Sequence, residues 1–124
     1  MNKYLDCSNA TGYATTKKEL IDLATVFEEN LLKEHNFFVK IRSQSYFDQE
    51  LSSKISRQEI KQHLHQLIGF LPIFCAKEAL NEVIILADLV QNSSSSEFRF
   101  PVSRLKEILE GLQSELKVWR GMLS

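Results

Sequence analysis

The sequence predicts an all-α protein, and two observations support this prediction. Its 124 residues include only four glycines and two prolines, so few positions interrupt regular structure. Between these positions the apolar residues recur at intervals of three and four, which is the period of a helix with one buried face. We therefore expect an antiparallel four-helix bundle that forms one domain, because a chain of this length buries a single core.

The first fourteen residues do not follow this pattern. Residues 1–14 are rich in Asn, Ser, Thr and Gly and show no helical period, which is typical of chain ends and linkers. We expect a flexible N-terminal leader or linker remnant over 1–14, followed by the helical bundle over 15–124.

The first long helix is predicted to begin at Thr16. Thr16 and Glu19 have the spacing of a capping box, in which the hydroxyl accepts a backbone N–H and the glutamate returns the bond. The polar segment 43–53 is expected to connect this helix to the next, with a short helical turn at 47–51. The predicted buried stripe consists of Leu20, Leu23, Ala24, Phe27, Leu31, Phe38 and Ile41.

A second capping box, from Ser56 to Glu59, is predicted to open the second long helix. Pro72 is expected to bend or end this helix, since proline removes one backbone hydrogen bond. The stripe that should face the core consists of Ile60, Leu64, Leu67, Ile68 and Leu71.

Two further helices complete the predicted bundle. One is expected over 77–90, and the sequence NSSSSE that begins at Asn92 predicts a loop after it. The other is expected to start near Pro101, because proline is well tolerated in the first turn of a helix. The apolar stripe of the last helix consists of Leu105, Ile108, Leu109, Leu112, Leu116, Trp119 and Leu123.

The second long helix carries the most informative polar residues. At about 100° per residue, His65 and Gly69 lie on the side away from the apolar stripe, together with Lys61 and Gln62. A glycine inside a helix costs about 1 kcal/mol relative to alanine, and close approach of another protein to the exposed histidine is one reason for its presence. The alternative is that His65 is an ordinary solvated residue and that Gly69 has no role. His63 falls on the opposite flank, and we expect no function for it.

Charge and composition restrict the function classes. With 15 basic and 16 acidic residues, the chain lacks the charge excess of proteins that coat nucleic acid or anionic membranes. We expect a protein partner, no nucleic acid and no direct membrane contact. The chain contains neither an apolar run of membrane-spanning length nor a signal-peptide core, which predicts a cytoplasmic protein.

The cysteines and the remaining histidines do not predict a metal site. Cys7 and Cys75 lie far apart in the sequence, so we expect two reduced thiols, with Cys75 in the core. His63 and His65 are two residues apart and diverge on a helix, which makes shared metal coordination difficult. His35 is expected on a solvated face.

The segment His65-Gln66-Leu67-Ile68-Gly69 resembles the H-x-L-K-G signature of histidine-containing phosphotransfer (HPt) domains. The run 70–76 that leads to Leu80, and the preceding helix with Phe27 and two glutamates, are also similar to that family. The resemblance extends over about 16–122. It implies a four-helix bundle in which Nε2 of His65 takes a phosphoryl group from the aspartate of a response-regulator receiver domain and passes it to another receiver.

The resemblance also implies partners and site residues. The receiver would bring the Mg²⁺, so this domain is expected to bind no cofactor, and it would stand alone or belong to a hybrid sensor kinase. Ile68 replaces the family's usual lysine, and Cys75 replaces a common glycine. Lys61 is our candidate for the missing positive charge. Gln62 and Gln66 are candidates for hydrogen bonds to the phosphoryl group, and Gly69 for the clearance that a receiver needs.

No nucleotide-binding motif is visible in the sequence, so the expected role is that of a phosphocarrier and not of an enzyme. One alternative stays open at this point. The chain would then be a helical protein-interaction module, either a degenerate HPt domain or an unrelated four-helix adaptor, that transfers no phosphoryl group.

Overall fold

A computed structural model describes residues 3–47, 57–92 and 99–123. Within these ranges the chain is helical and contains no strand, which confirms the all-α prediction. The elements are α1 (Ala10–Tyr13), α2 (Lys17–Phe47), α3 (Arg57–Phe70), a short 3₁₀ helix (Leu71–Ile73), α4 (Lys77–Asn92) and α5 (Arg99–Leu123).

The four longer helices enclose one hydrophobic core. Helix α2 packs along α5, α5 also contacts α4, α4 contacts α3, and α3 contacts α2. The predicted stripes supply most of the core. Burying each large apolar side chain contributes about 1.5 to 3 kcal/mol. The fully buried large side chains are Leu31, Phe38, Leu64, Leu67, Leu71, Phe74, Leu105, Ile108, Leu109, Leu112 and Leu116.

The start of α2 confirms the predicted cap, whereas its end was predicted too early. The N–H of Glu19 donates to Thr16 Oγ1 at 3.1 Å, and that hydroxyl donates to Glu19 Oε1 at 3.0 Å. Helix α2 then continues to Phe47. The prediction of a connection from Ser43 was wrong for residues 43–47, because polar residues such as Ser and Gln have enough helix propensity to continue a helix that contains no glycine or proline. The predicted turn at 47–51 reaches beyond Phe47 into a segment outside the described residues.

Helices α3 to α5 lie close to their predicted positions. Helix α3 ends at Phe70, and Pro72 lies in the 3₁₀ helix that follows, which confirms that this proline stops the helix. Helix α4 extends two residues past the predicted end, to Asn92. The predicted cap residue Ser56 and the loop segment 93–98 lie outside the described residues.

The prediction of a flexible leader is wrong for residues 3–14. Tyr4 and Leu5 are buried, and their backbone N–H groups donate to Glu115 Oε1 of α5 at 2.9 and 3.0 Å. On the opposite side, the N–H of Asp6 donates to the carbonyl of Phe74 at 2.8 Å. We call residues 3–6 the N-terminal strap, because they bind α5 and the connection between α3 and α4 at the same time.

Two further contacts hold this end of the chain. The N–H of Ala76 donates to the carbonyl of Tyr4 at 2.7 Å, and Ala10 of α1 is completely buried. The Tyr4 ring lies against Gly111, where a Cβ atom would collide with the ring. Three separate apolar side chains on a short segment produce no detectable period, so the sequence pattern did not indicate this packing.

Among the described helices, none combines the length and the apolar character that crossing a membrane requires.

Candidate functional site

The outer face of α3 carries the residues singled out from the sequence. His65, Lys61, Gln62 and Gln66 are all exposed, and so is Gly69. Their placement on the solvent side follows from the helical spacing, because Ile60, Leu64 and Leu67 hold the opposite face of α3 in the core. The structure therefore brings the five candidate residues onto one helix surface, while their roles stay a prediction.

An open groove of about 650 Å³ runs beside this face. Lys61 contributes a positive charge to its wall, and the several glutamines contribute neutral donors and acceptors. Gln91 comes from α4, and sequence reasoning missed it because nothing in the helical period of α4 relates this residue to α3. The lining consists of Gln58, Lys61, Gln62, His65, Gln66, Ile68 and Gln91.

Gly69 lies in open space. A Cβ atom built on it would meet no atom of another residue within 4 Å outside its own helix backbone and chain neighbours, and its backbone has no positive φ. Neither packing nor backbone conformation within the chain therefore requires glycine at this position. The described fold would therefore accept alanine here, although glycine weakens a helix.

The three histidines have different surroundings. His63 Nδ1 lies 2.8 Å from Glu34 Oε2. His35 Nε2 lies 3.2 Å from Glu110 Oε2, an ion-pair distance, although its direction does not complete a hydrogen bond. Within the described parts of the chain, no hydrogen bond or ion pair engages His65. His65 therefore differs from His35 and His63: its ring faces solvent, and no carboxylate among the described residues lies beside it.

Two expectations about histidines need correction. The side chain of His35 is only 16% exposed, so it does not lie on a solvated face. His63 is not an idle residue on the flank of α3, because its ring stacks on Phe37 with a centroid distance of 3.6 Å and an interplanar angle of 12°. Each ring lies beside a carboxylate of another helix, Glu110 for His35 and Glu34 for His63.

Glu34 is the buried polar residue that sequence reasoning missed most clearly. It is 2% exposed, and burial raises the pKa of its carboxyl group, with the hydrogen bond from His63 countering part of the rise. The helical spacing of α2 could have indicated this burial. Phe27, Leu31 and Phe38 are buried, and position 34 lies on the same face of α2 at helical spacing. A pattern that counts only apolar residues passes over a glutamate there.

Ile68 and Cys75 both serve the core. Ile68 is half-buried and packs against the core cluster, so it offers no polar group beside His65. Cys75 is buried as predicted, and burial raises the pKa of its thiol from 9.0 to about 12. In the described residues, no group of three or more His, Cys, Asp or Glu side chains has an arrangement that would hold a metal ion.

Comparison with known proteins does not assign the chain to a family. No family model matches the chain, and neither a curated protein nor a solved structure does so.

Proposed function

We propose that the chain is a histidine phosphotransfer module. In this proposal the four longer helices form an antiparallel four-helix bundle. The observed contacts support this arrangement, because each of the helices α2, α3, α4 and α5 packs against two of the others. His65 accepts a phosphoryl group from a receiver-domain aspartate and passes it to a second receiver. The module carries phosphate without a nucleotide site of its own, acts in the cytoplasm, and either stands alone or belongs to a hybrid sensor kinase.

The observation that carries this proposal is the state of His65. Its ring is exposed and free of carboxylate partners among the described residues, unlike the rings of His35 and His63. A neutral histidine ring carries a lone pair on one of its two nitrogens. A solvent-facing lone pair on a rigid helix is what an incoming aspartyl phosphate requires of its acceptor.

The neighbours of His65 suit the same chemistry. Lys61 lies one turn before His65, within the distance at which side chains on a helix interact, and its charge would attract the phosphoryl oxygens. Gln62 and Gln66 supply amide donors beside them. Gly69 lies one turn after His65 and leaves α3 bare there, so a receiver loop can approach the ring. The receiver contributes the Mg²⁺ that neutralises the transferring group.

Transfer from a phosphorylated receiver tests the proposal. Receivers of the source organism, charged with radioactive phosphate, should label the wild-type protein with a phosphate that acid removes and base leaves in place. His65→Gln should abolish this labelling. His63→Gln serves as the matched control, because its amide can still donate to Glu34, and labelling should remain largely intact. Equal labelling of the His65→Gln protein would contradict the proposal.

One observation favours a second candidate function. Ile68 packs against the core at the position where the resembling family carries a lysine, which would make the site poorer in positive charge. The chain would then be a helical interaction module that binds a receiver without transfer. In that case, receiver binding measured by calorimetry would be unchanged in the His65→Gln protein, and no phosphate would be transferred to the wild type.

A further inference from the structure

A second histidine on α3 lies in a constrained environment away from the groove. His63 Nδ1 is 2.8 Å from Glu34 Oε2, and the ring stacks on Phe37. Helix α2 therefore holds this imidazole by its edge and by its face at the same time. Such a ring loses little conformational freedom when it reacts, because its orientation is already fixed.

The contact with Glu34 determines which ring nitrogen carries the proton. When Glu34 is ionised, its carboxylate only accepts hydrogen bonds, so the proton then lies on Nδ1 and the lone pair on Nε2. Glu34 therefore sets the tautomer of His63 and fixes the orientation of its ring.

Part of the His63 ring is open to solvent. Its side chain is 18% exposed, while Phe37 covers one face of the ring. In the described parts of the chain, His35 Nε2 is the one buried side-chain nitrogen or oxygen without a hydrogen-bond partner, and His63 Nε2 does not share that state. An opening of this size suits a small molecule better than a protein loop.

From this geometry we infer that His63 Nε2 is a second nucleophile on α3 that accepts a phosphoryl group from small donors of the phosphoramidate or acyl phosphate class. Glu34 is its positioning residue. This site does not depend on transfer at His65, because a small donor reaches the ring without a receiver domain.

The reaction balances with groups already present. The lone pair of Nε2 forms a bond to phosphorus while the donor's P–N bond breaks, and ammonia leaves with the protons that it carries in phosphoramidate. Nδ1 keeps its proton, so the phosphorylated ring becomes positively charged. The carboxylate of Glu34, 2.8 Å from Nδ1, offsets that charge in a partly buried setting where an unpaired charge would be costly.

Labelling with potassium phosphoramidate tests this inference. The His65→Gln protein should still incorporate phosphate, and peptide mapping should locate it on His63. Adding Glu34→Gln should lower the labelling rate on the order of tenfold, the effect that loss of a histidine's carboxylate partner commonly has. If His65→Gln incorporates no more phosphate than the His63→Gln/His65→Gln double variant, the inference is overturned.

A second measurement needs no substitution. Nitrogen chemical shifts of the imidazoles in the wild-type protein report which nitrogen carries the proton. We expect His63 to show a protonated Nδ1 and a bare Nε2, and a proton on Nε2 would overturn the inference even if Glu34→Gln failed to fold. Receiver-dependent labelling of His65 is measured separately, so failure there leaves the result for His63 unaffected.

Discussion

Two glycines in the long helices, Gly69 and Gly111, have opposite surroundings. A Cβ on Gly69 meets nothing within 4 Å, whereas one on Gly111 would overlap the ring of Tyr4. Helix propensity alone favours alanine over glycine by about 0.5 to 1 kcal/mol at either position. The difference in surroundings therefore decides the sign of the change, and it separates a glycine that the fold requires from one that it does not.

We predict that Gly69→Ala raises the free energy of unfolding by about 0.5 to 1 kcal/mol and lowers the rate of phosphoryl transfer from a receiver. The methyl group finds free space in the isolated chain, but it occupies the surface that the receiver would approach. Thermal unfolding and transfer kinetics on the same preparation measure the two effects. Gly121→Ala is the matched control, because Gly121 is also open and lies outside the groove lining. A faster transfer in Gly69→Ala would contradict the role assigned to this glycine.

The same substitution at Gly111 is expected to destabilise the protein. A methyl group there displaces Tyr4 from α5, which removes an aromatic ring from a buried position and loosens the bond between Glu115 and the strap. Losing this burial outweighs the gain in helix propensity, since burying a large aromatic side chain contributes about 1.5 to 3 kcal/mol. The pair of glycine variants thus gives opposite shifts in melting temperature from one identical chemical change.

The N-terminal strap is the element whose role follows most directly from its hydrogen bonds. Glu115 accepts the N–H groups of Tyr4 and Leu5 through the same oxygen, and Ala76 donates back to Tyr4. The strap therefore links α5 to the connection that follows α3. Because this connection sets where α3 ends, the strap also contributes to the position of the helix that carries His65.

We predict that Glu115→Ala lowers the free energy of unfolding by about 1 to 3 kcal/mol, since it leaves two partly buried donors without a charged acceptor. Amide hydrogen exchange should become faster at Tyr4, Leu5 and Ala76, while exchange at the centre of α5 changes little. Glu115→Gln keeps one acceptor oxygen and should lose less stability than the alanine variant. Equal exchange rates in wild type and Glu115→Ala would show that the strap is held by packing alone.

At the scale of the whole molecule, periodic features were predictable and pairings between distant residues were not. Phe27, Leu31 and Phe38 follow a helical period that local spacing reveals. Glu34 lies on the same face, but its burial depends on a histidine that another helix supplies. Tyr4 fits only because Gly111, far along the chain, has no side chain. A sequence pattern contains no information about which distant residue completes such a pair.

The candidate site shows the same division. The exposure of His65 and Gly69 followed from the apolar stripe of α3, because one face of a helix determines the other. Gln91 on α4 could not be placed beside them, since helix order alone does not specify which flank of one helix faces the next. The engagement of His63 was missed for the same reason, and it separates the two histidines of α3 chemically.

Alkaline pH should destabilise the whole molecule through Cys75. Burial raises the pKa of this thiol from 9.0 to about 12, so the thiolate forms more readily in the unfolded chain. The stability associated with the protonated thiol is complete below pH 9 and is lost as pH rises from 9 toward 12. Between pH 8 and 10 the free energy of unfolding should fall by about 1 kcal/mol more in the wild type than in Cys75→Ala. Urea unfolding at both pH values measures this difference. If the free energy of unfolding falls equally in the two proteins, the thiol ionises to the same extent in the folded and the unfolded chain, and the prediction is wrong.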